Sequence, residues 1–164
     1  MEARPQYDRP MSWASSDGVR RSMLSNRGRD TKVELRVRSA LHAAGLRYRL
    51  QLKVPGSSRR TIDVAFPKQR IAVFLDGCFW HGCPVHHTVS KTNAGFWAEK
   101  VSRNRERDRD TDRLLQEAGW TSLRFWEHED VDEIVRIVEE AVLREREAAE
   151  GRRNGAGPAA PPRL

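Results

Sequence analysis

Phe74-Leu75-Asp76-Gly77-Cys78-Phe79-Trp80-His81-Gly82-Cys83-Pro84-Val85-His86-His87 gathers both cysteines of the chain and three of its five histidines into fourteen residues. Immediately before its end point in β-type sequence lies Ile71-Ala72-Val73-Phe74-Leu75, which reads as a buried strand. A strand leading straight into a loop crowded with soft ligands is how a metal-clipped loop hangs on a sheet edge. Two cysteines five residues apart could form a disulfide instead. With no export signal in the sequence, thiolate–metal ligation is favoured.

Upstream, Thr61-Ile62-Asp63-Val64-Ala65-Phe66 reads as a second strand, and Pro67-Lys68-Gln69 joins the two as a hairpin. Alternation puts Ile62, Val64 and Phe66 on one face and Thr61, Asp63 and Ala65 on the other. Asp63 therefore projects from mid-strand, opposite the apolar face. Residues 55–60 form a turn carrying two arginines, and residues 46–52 alternate as a half-buried strand. Thr31-Lys32-Val33-Glu34 is a capping-box pattern. It opens a helix through Val33, Val37, Leu41 and Ala44 that Gly45 closes.

Downstream, Asn93 is predicted to cap a helix running to Ala118. One face of it carries Trp97, Val101, Asn104, Asp108, Thr111, Leu115 and Ala118. The polar middle of that stripe is at odds with a purely core-facing helix. Residues 120–127 read as a fourth strand, and Asp130-Val131-Asp132-Glu133 caps a final amphipathic helix. The order α-β-β-β-α-β-α predicts an α/β domain, a mixed sheet flanked by helices. Residues 1–19 are expected to be a flexible basic arm and 20–148 the folded domain. Residues 149–164, rich in Gly, Pro, Ala and Arg, are expected to be a disordered tail.

A chain of 164 residues can bury one sizeable core. Thirty Lys and Arg against twenty-three Asp and Glu give +7, which favours a polyanionic partner, nucleic acid first. No apolar run reaches membrane-spanning length, and the N-terminus lacks the apolar core of a secretion signal. A cytoplasmic protein with no membrane partner is expected.

Structural zinc takes four Cys or His ligands. Cys78 and Cys83 supply two, and either His86 or His87 a third. The fourth falls to His42 or His128, of which His128 follows a strand end where loops converge. Phe79 and Trp80 are consecutive, so burying both in one core is awkward. On a metal-clipped platform both could protrude and insert between base pairs, with Trp97 beside them; ordinary packing is the alternative. Asp63 and Asp76, on neighbouring strands, suit magnesium, a hard cation that takes carboxylate, phosphate and water oxygens. His81, not needed as a ligand, is a candidate general acid or base.

Taken together, Asp63, Gly77-Cys78-Phe79-Trp80-His81, Phe96-Trp97-x-x-Lys100, Asn104-x-x-Arg107-Asp108, Leu115-x-x-x-Gly119-Trp120 and Trp126-Glu127 resemble the very short patch repair (Vsr) DNA mismatch endonucleases. Arg21-Ser22-Met23 and Asp30-Thr31-Lys32-x-Glu34 fit the same family. The resemblance implies a restriction-endonuclease-like fold with a structural zinc. It implies a monomer that nicks one strand of duplex DNA, 5′ to the thymine of a T:G mismatch left by deamination of 5-methylcytosine. Mismatch-repair proteins are candidate further partners. It assigns magnesium to Asp63 and the backbone carbonyl of Leu75, and catalysis to Asp63, His81, Glu34 and Asp108. Phe79, Trp80, Trp97 and Met23 become DNA contacts, and Cys78, Cys83, His86 and His128 the zinc ligands. Two features depart from the family's pattern: Cys83, His86 and His128 fill zinc-ligand positions that other members exchange between Cys and His, and Asp76 stands where other members carry a histidine. The Glu-x-Lys half of a restriction-type site is absent, and the resemblance gives part of that work to His81. A non-catalytic zinc-containing DNA-binding module and a sequence-specific restriction endonuclease are the rival readings.

Overall fold

The computed structural model describes residues 30–87 and 93–155. Along the chain run α1 (Lys32–Ala43), β1 (Arg49–Lys53), β2 (Thr61–Phe66), β3 (Ile71–Asp76), α2 (Cys78–His81), α3 (Ala94–Glu117), β4 (Thr121–Trp126) and α4 (Val131–Gly155). The strands form one sheet in the order β1-β2-β3-β4. The β1–β2 and β2–β3 pairs are antiparallel and β3–β4 is parallel. This is the mixed sheet flanked by helices that the sequence predicts.

Both faces of the sheet are covered. Val37 and Leu41 of α1, and Ile134, Val138 and Val142 of α4, pack with Val64, Phe66, Ile71 and Val73 on one side. On the other, Leu115 of α3 packs with Val54, Ile62, Ala65, Ala72 and Phe74. β3 alternates its apolar residues between these two cores, so every position in it must be apolar until the strand reaches its end. That explains the uninterrupted run Ile71 to Leu75.

Ile62 departs from the expected division of faces, because it joins Ala65 and Leu115 rather than Val64 and Phe66. The change falls at Asp63. The β2–β3 ladder pairs Phe66 with Ile71, Ala65 with Ala72 and Val64 with Val73. Beyond that last pair the Asp63 carboxylate itself accepts the Leu75 N–H, at 3.1 Å. A side chain thus stands where a regular ladder would continue.

The helix ends follow their signals. Thr31 Oγ1 accepts the Glu34 N–H at 3.2 Å, and Glu34 accepts in return from the Asp30 N–H and the Thr31 hydroxyl. Such a cap is worth about 1 kcal/mol. Gly45, at φ +81°, reverses the chain so that the Leu46 N–H reaches the Leu41 carbonyl. Asp130 caps α4 through the Asp132 and Glu133 N–H groups. Asn93 does precede α3, but at φ +55° and without a side-chain capping bond. The first strand starts at Arg49, three residues later than expected, and α4 continues to Gly155, past the expected limit at residue 148. Residues 1–19 and Met23 lie outside the described residues. Among the described residues, no helix is long and apolar enough to cross a membrane.

Candidate active site and metal centre

The chemistry-bearing residues collect at the carboxyl ends of the two parallel strands, where sheets of this kind present their ligands. Asp76 ends β3 and Trp126 ends β4. Between β3 and α3 the chain makes one helical turn, Cys78–His81, where a loop is expected from the sequence. Glu127 Oε1 accepts the Cys78 N–H at 2.8 Å and so ties that turn to the end of β4. Gly82 closes the turn at φ +66°, and a Cβ there would lie 2.7 Å from both Val101 and Arg105. Only glycine meets the backbone angle and the tight approach to α3 together.

That approach explains the polar middle of the α3 stripe. Asn104 Nδ2 donates to the Trp80 carbonyl at 2.8 Å, and Asp108 Oδ2 lies 2.6 Å from His81 Nδ1. Trp97, Val101, Thr111 and Leu115 on the same face are buried. The helix packs apolar residues at its ends and uses its middle to hold the one-turn helix in place.

Asp63, on β2, faces Leu75 and Asp76 at the end of β3. Burial, followed by the nearby Glu34 and Asp76 carboxylates, outweighs the Leu75 hydrogen bond and pushes its pKa up to about 6. Glu34 is itself buried and held by Arg38 Nη2 at 2.6 Å. A half-buried carboxyl among other acids is relieved by a cation, so Asp63 with the adjacent β3 backbone offers the oxygen donors that fit a hard metal ion. Asp76, His81 and Asp108 also cluster within 4.8 Å. There, however, the 2.6 Å His81–Asp108 contact is a hydrogen bond, and Asp76 is engaged by Arg124 at 3.0 Å. Burial works against a charged His81, but the Asp108 hydrogen bond and the Asp76 and Asp108 charges prevail and raise its pKa. For Asp108, the His81 bond and the charges of His81 and Arg124 overcome burial and lower it.

A second cluster lies at the other side of the one-turn helix. Ligand atoms of Cys78, Cys83, His86 and His128 all fall within 4.8 Å of one another. Cys78 Sγ is 3.1 Å and Cys83 Sγ 3.7 Å from His128 Nδ1. The His86 N–H points at Cys83 Sγ, 3.4 Å away. Of the histidine alternatives, His86 and His128 join the sulfurs. His87 lies against Phe79, and His42 is exposed on α1. Burial, then the neighbouring Cys83, pushes the Cys78 thiol up to about 11. Two sulfurs and two imidazoles this close form a donor set that fits a tetrahedral divalent cation.

Phe79, Trp80 and Trp97 form one ring cluster, with centroids 5.1 to 5.8 Å apart. Phe79 and Trp80 are half-buried, whereas Trp97 is 5% exposed and packs beneath them. Lys100 Nζ lies over the Trp80 ring at 5.2 Å. The two consecutive rings are therefore at the surface, on a support, and Trp97 is that support.

A family model described as DNA mismatch endonuclease Vsr matches residues 16–88, the segment that includes Glu34, Asp63, Asp76 and His81. The chain is 43% identical over 123 residues to the Type II nicking enzyme V.NaeI of Lentzea aerocolonigenes, a match covering 74% of each protein. The chain belongs to the Vsr endonuclease family. It is 40% identical to the Type II nicking enzyme V.NmeDIP of Neisseria meningitidis serogroup C, over 67% of this chain and 74% of that one. To the DNA mismatch endonuclease Vsr of Escherichia coli (strain K12) it is 40% identical, over 60% of this chain and 62% of that one. The protein is a DNA endonuclease.

Within this Vsr-family site one residue escaped the sequence reading. Arg124, in the middle of β4, donates to both Asp76 oxygens at 3.0 and 3.1 Å and to Asp112 at 3.0 Å. Its guanidinium lies 4.3 Å from the Phe74 ring centre. It neutralises the acid that would otherwise crowd His81. The signal was a lone arginine between Leu123 and Phe125 in a strand, a position that demands a buried anionic partner.

Proposed function

We propose that this endonuclease nicks one strand of duplex DNA 5′ to the thymine of a T:G mismatch, with catalytic magnesium at Asp63 and structural zinc at Cys78, Cys83, His86 and His128. The observation that carries the reading is the His81–Asp108 pair beside Asp63. Asp76 links the two: its carboxylate lies 3.7 Å from His81 Nδ1 and also acts on Asp63, the carboxyl that needs a cation.

Asp63, with the Leu75 carbonyl, would hold the magnesium, and Glu34 would add negative charge at the edge of the site. Bound there, magnesium would supply Lewis-acid chemistry at a phosphate oxygen. Asp108 fixes Nδ1 of His81, which leaves Nε2 to take the proton from the attacking water. Arg124 holds Asp76 in an ion pair and so opposes the rise that burial gives the Asp76 carboxyl. Zinc at the sulfur–imidazole set would clip the segment that carries Phe79, Trp80 and His81, fixing rings and imidazole relative to each other. Phe79 and Trp80, half-exposed over Trp97, would wedge beside the mispair and unstack it. The restriction-endonuclease-like fold fits the Asp63 position, where a strand side chain interrupts the β2–β3 ladder.

A second reading is favoured by the relatives named Type II nicking enzymes. In it, the chain keeps the same chemistry but differs in the site it cuts. A panel of duplexes separates the two. Nicking of T:G with magnesium, and not of T:A or of the other mismatches, supports the proposal. Equal nicking of paired and mispaired DNA at a fixed sequence overturns it in favour of the second reading.

A further inference from the structure

Next to the catalytic acids, on the face of the sheet covered by α3, lies a cavity of about 220 Å³. Arg59, Arg60, Arg107 and Arg124 line it, together with Thr61 and Thr111. Two of the four guanidiniums are neutralised within the protein: Arg60 by Asp110 at 2.6 Å, and Arg124 by Asp76 and Asp112. The other two are not. Among the described residues neither forms an ion pair: Arg107 donates to the neutral Asn104 amide, at 3.0 Å, with the Asp108 charge nearby but unpaired to it, and Arg59 has no carboxylate partner. Both are exposed at the rim.

The hydroxyls inside are already committed. Thr111 donates to the Arg107 carbonyl and accepts from Arg60 Nη1, and Thr61 donates to Gln51 Oε1. The lining is thus a fixed polar wall with two unneutralised cations at its mouth. A wall of this kind, in a DNA endonuclease, recognises an anion with several acceptor oxygens.

Its position relative to the acids is set by the strands. Thr61 precedes Asp63 by two residues on β2, roughly 6–7 Å along a strand. Phe74, also in the lining, directly precedes Leu75 on β3, and Asp108 lines the cavity as well. The cavity therefore sits one short step from the point where the cut phosphate must lie. Arg107 also lines a second cavity that runs along α3 to Lys100 and Phe96, beside the ring cluster.

We propose that Arg59 and Arg107 clamp the backbone phosphate next to the one that is cut, with Arg60 and Arg124 as the fixed back wall. The clamp fixes the register of the nicked strand on the metal cradle and carries no base information. This rests on the endonuclease assignment and not on the mismatch preference.

The test uses the full chain and a set of synthetic duplexes, each with one phosphate near the nick replaced by a neutral methylphosphonate. The parent is any duplex that the unmodified protein nicks, which checks the endonuclease reading separately. For the unmodified protein, one position flanking the nick should weaken binding by about tenfold. In the Arg59→Ala and Arg107→Ala double variant, with its melting temperature retained, that position should cost nothing further, while other positions keep their effects. If no flanking position loses its effect in the double variant, or if the loss falls only at the cut phosphate, the clamp is wrong. Should the double variant not fold, Arg59→Gln alone, on the exposed turn, gives the same readout.

Discussion

Nδ1 of His81 lies 2.6 Å from Oδ2 of Asp108, joining a single helical turn after β3 to the middle of the long helix that follows it. This bond spans 27 residues of chain. It fixes which ring nitrogen faces the carboxylate and raises the imidazole's pKa through the Asp108 bond and charge.

Asp108→Asn should therefore lower kcat for nicking by about 10²–10⁴-fold, the usual worth of positioned acid–base catalysis, with little change in KM. Single-turnover kinetics on the variant check this. A change confined to KM would mean that Asp108 serves binding and not proton transfer.

Asp63 illustrates the tension between function and stability. Its pKa is raised by burial from 3.8 to about 6, so the folded state holds the proton more tightly than the unfolded one. The sign follows: the penalty is absent below about pH 4, grows between pH 4 and 6, and is complete above pH 6. In magnesium-free buffer, Asp63→Asn should be more stable than the unmodified protein at pH 7.5, by roughly 2–3 kcal/mol. The gain should vanish near pH 4. The same variant should not nick. Urea melts at the two pH values measure the difference.

The mid-strand place of Asp63 was legible from the pattern of Thr61 to Phe66, whereas a lone strand carboxylate says little by itself and its role came only with the family resemblance. The capping box at Thr31 and Glu34 and the glycine stop at Gly45 were legible from local pattern too. Ile62 was not, since alternation assumes a regular ladder and Asp63 interrupts it. The helical turn at Cys78 to His81 escaped because four residues are too few to show a period, and its boundaries depend on Gly82 meeting α3. Arg124 escaped because its three acidic neighbours, Asp76, Asp108 and Asp112, come from other elements. Trp97 was grouped with the surface rings by its place at the start of the long helix and by the family resemblance, and only packing shows it to be their support.

Cys78→Ser should lower the melting temperature by about 10 °C or more, because a structural metal contributes folding free energy directly. A strong chelator should do the same to the unmodified protein and nothing further to the variant. Calorimetric scans with metal analysis check it. An unchanged melting temperature after complete metal removal would show that the sulfur–imidazole cluster is not a structural site.

Trp80→Ala should reduce the preference for T:G over T:A duplex by about tenfold, since unstacking a step depends on a wedge that the variant lacks. Trp97→Ala should instead destabilise the fold, as loss of a buried aromatic costs about 3–5 kcal/mol. Competition binding and thermal melts distinguish these outcomes. Equal loss of discrimination and stability in both variants would mean that the rings act only as core.

The most direct measurement follows each strand separately on a denaturing gel. Duplexes differing only in T:G or T:A are labelled on one strand or the other and incubated with the protein and magnesium. The expected result is one cut, 5′ to the mispaired thymine, in the T:G duplex alone, and none with Asp63→Asn or without the metal. Cuts in both strands, or in the T:A duplex at the same rate, would contradict the account.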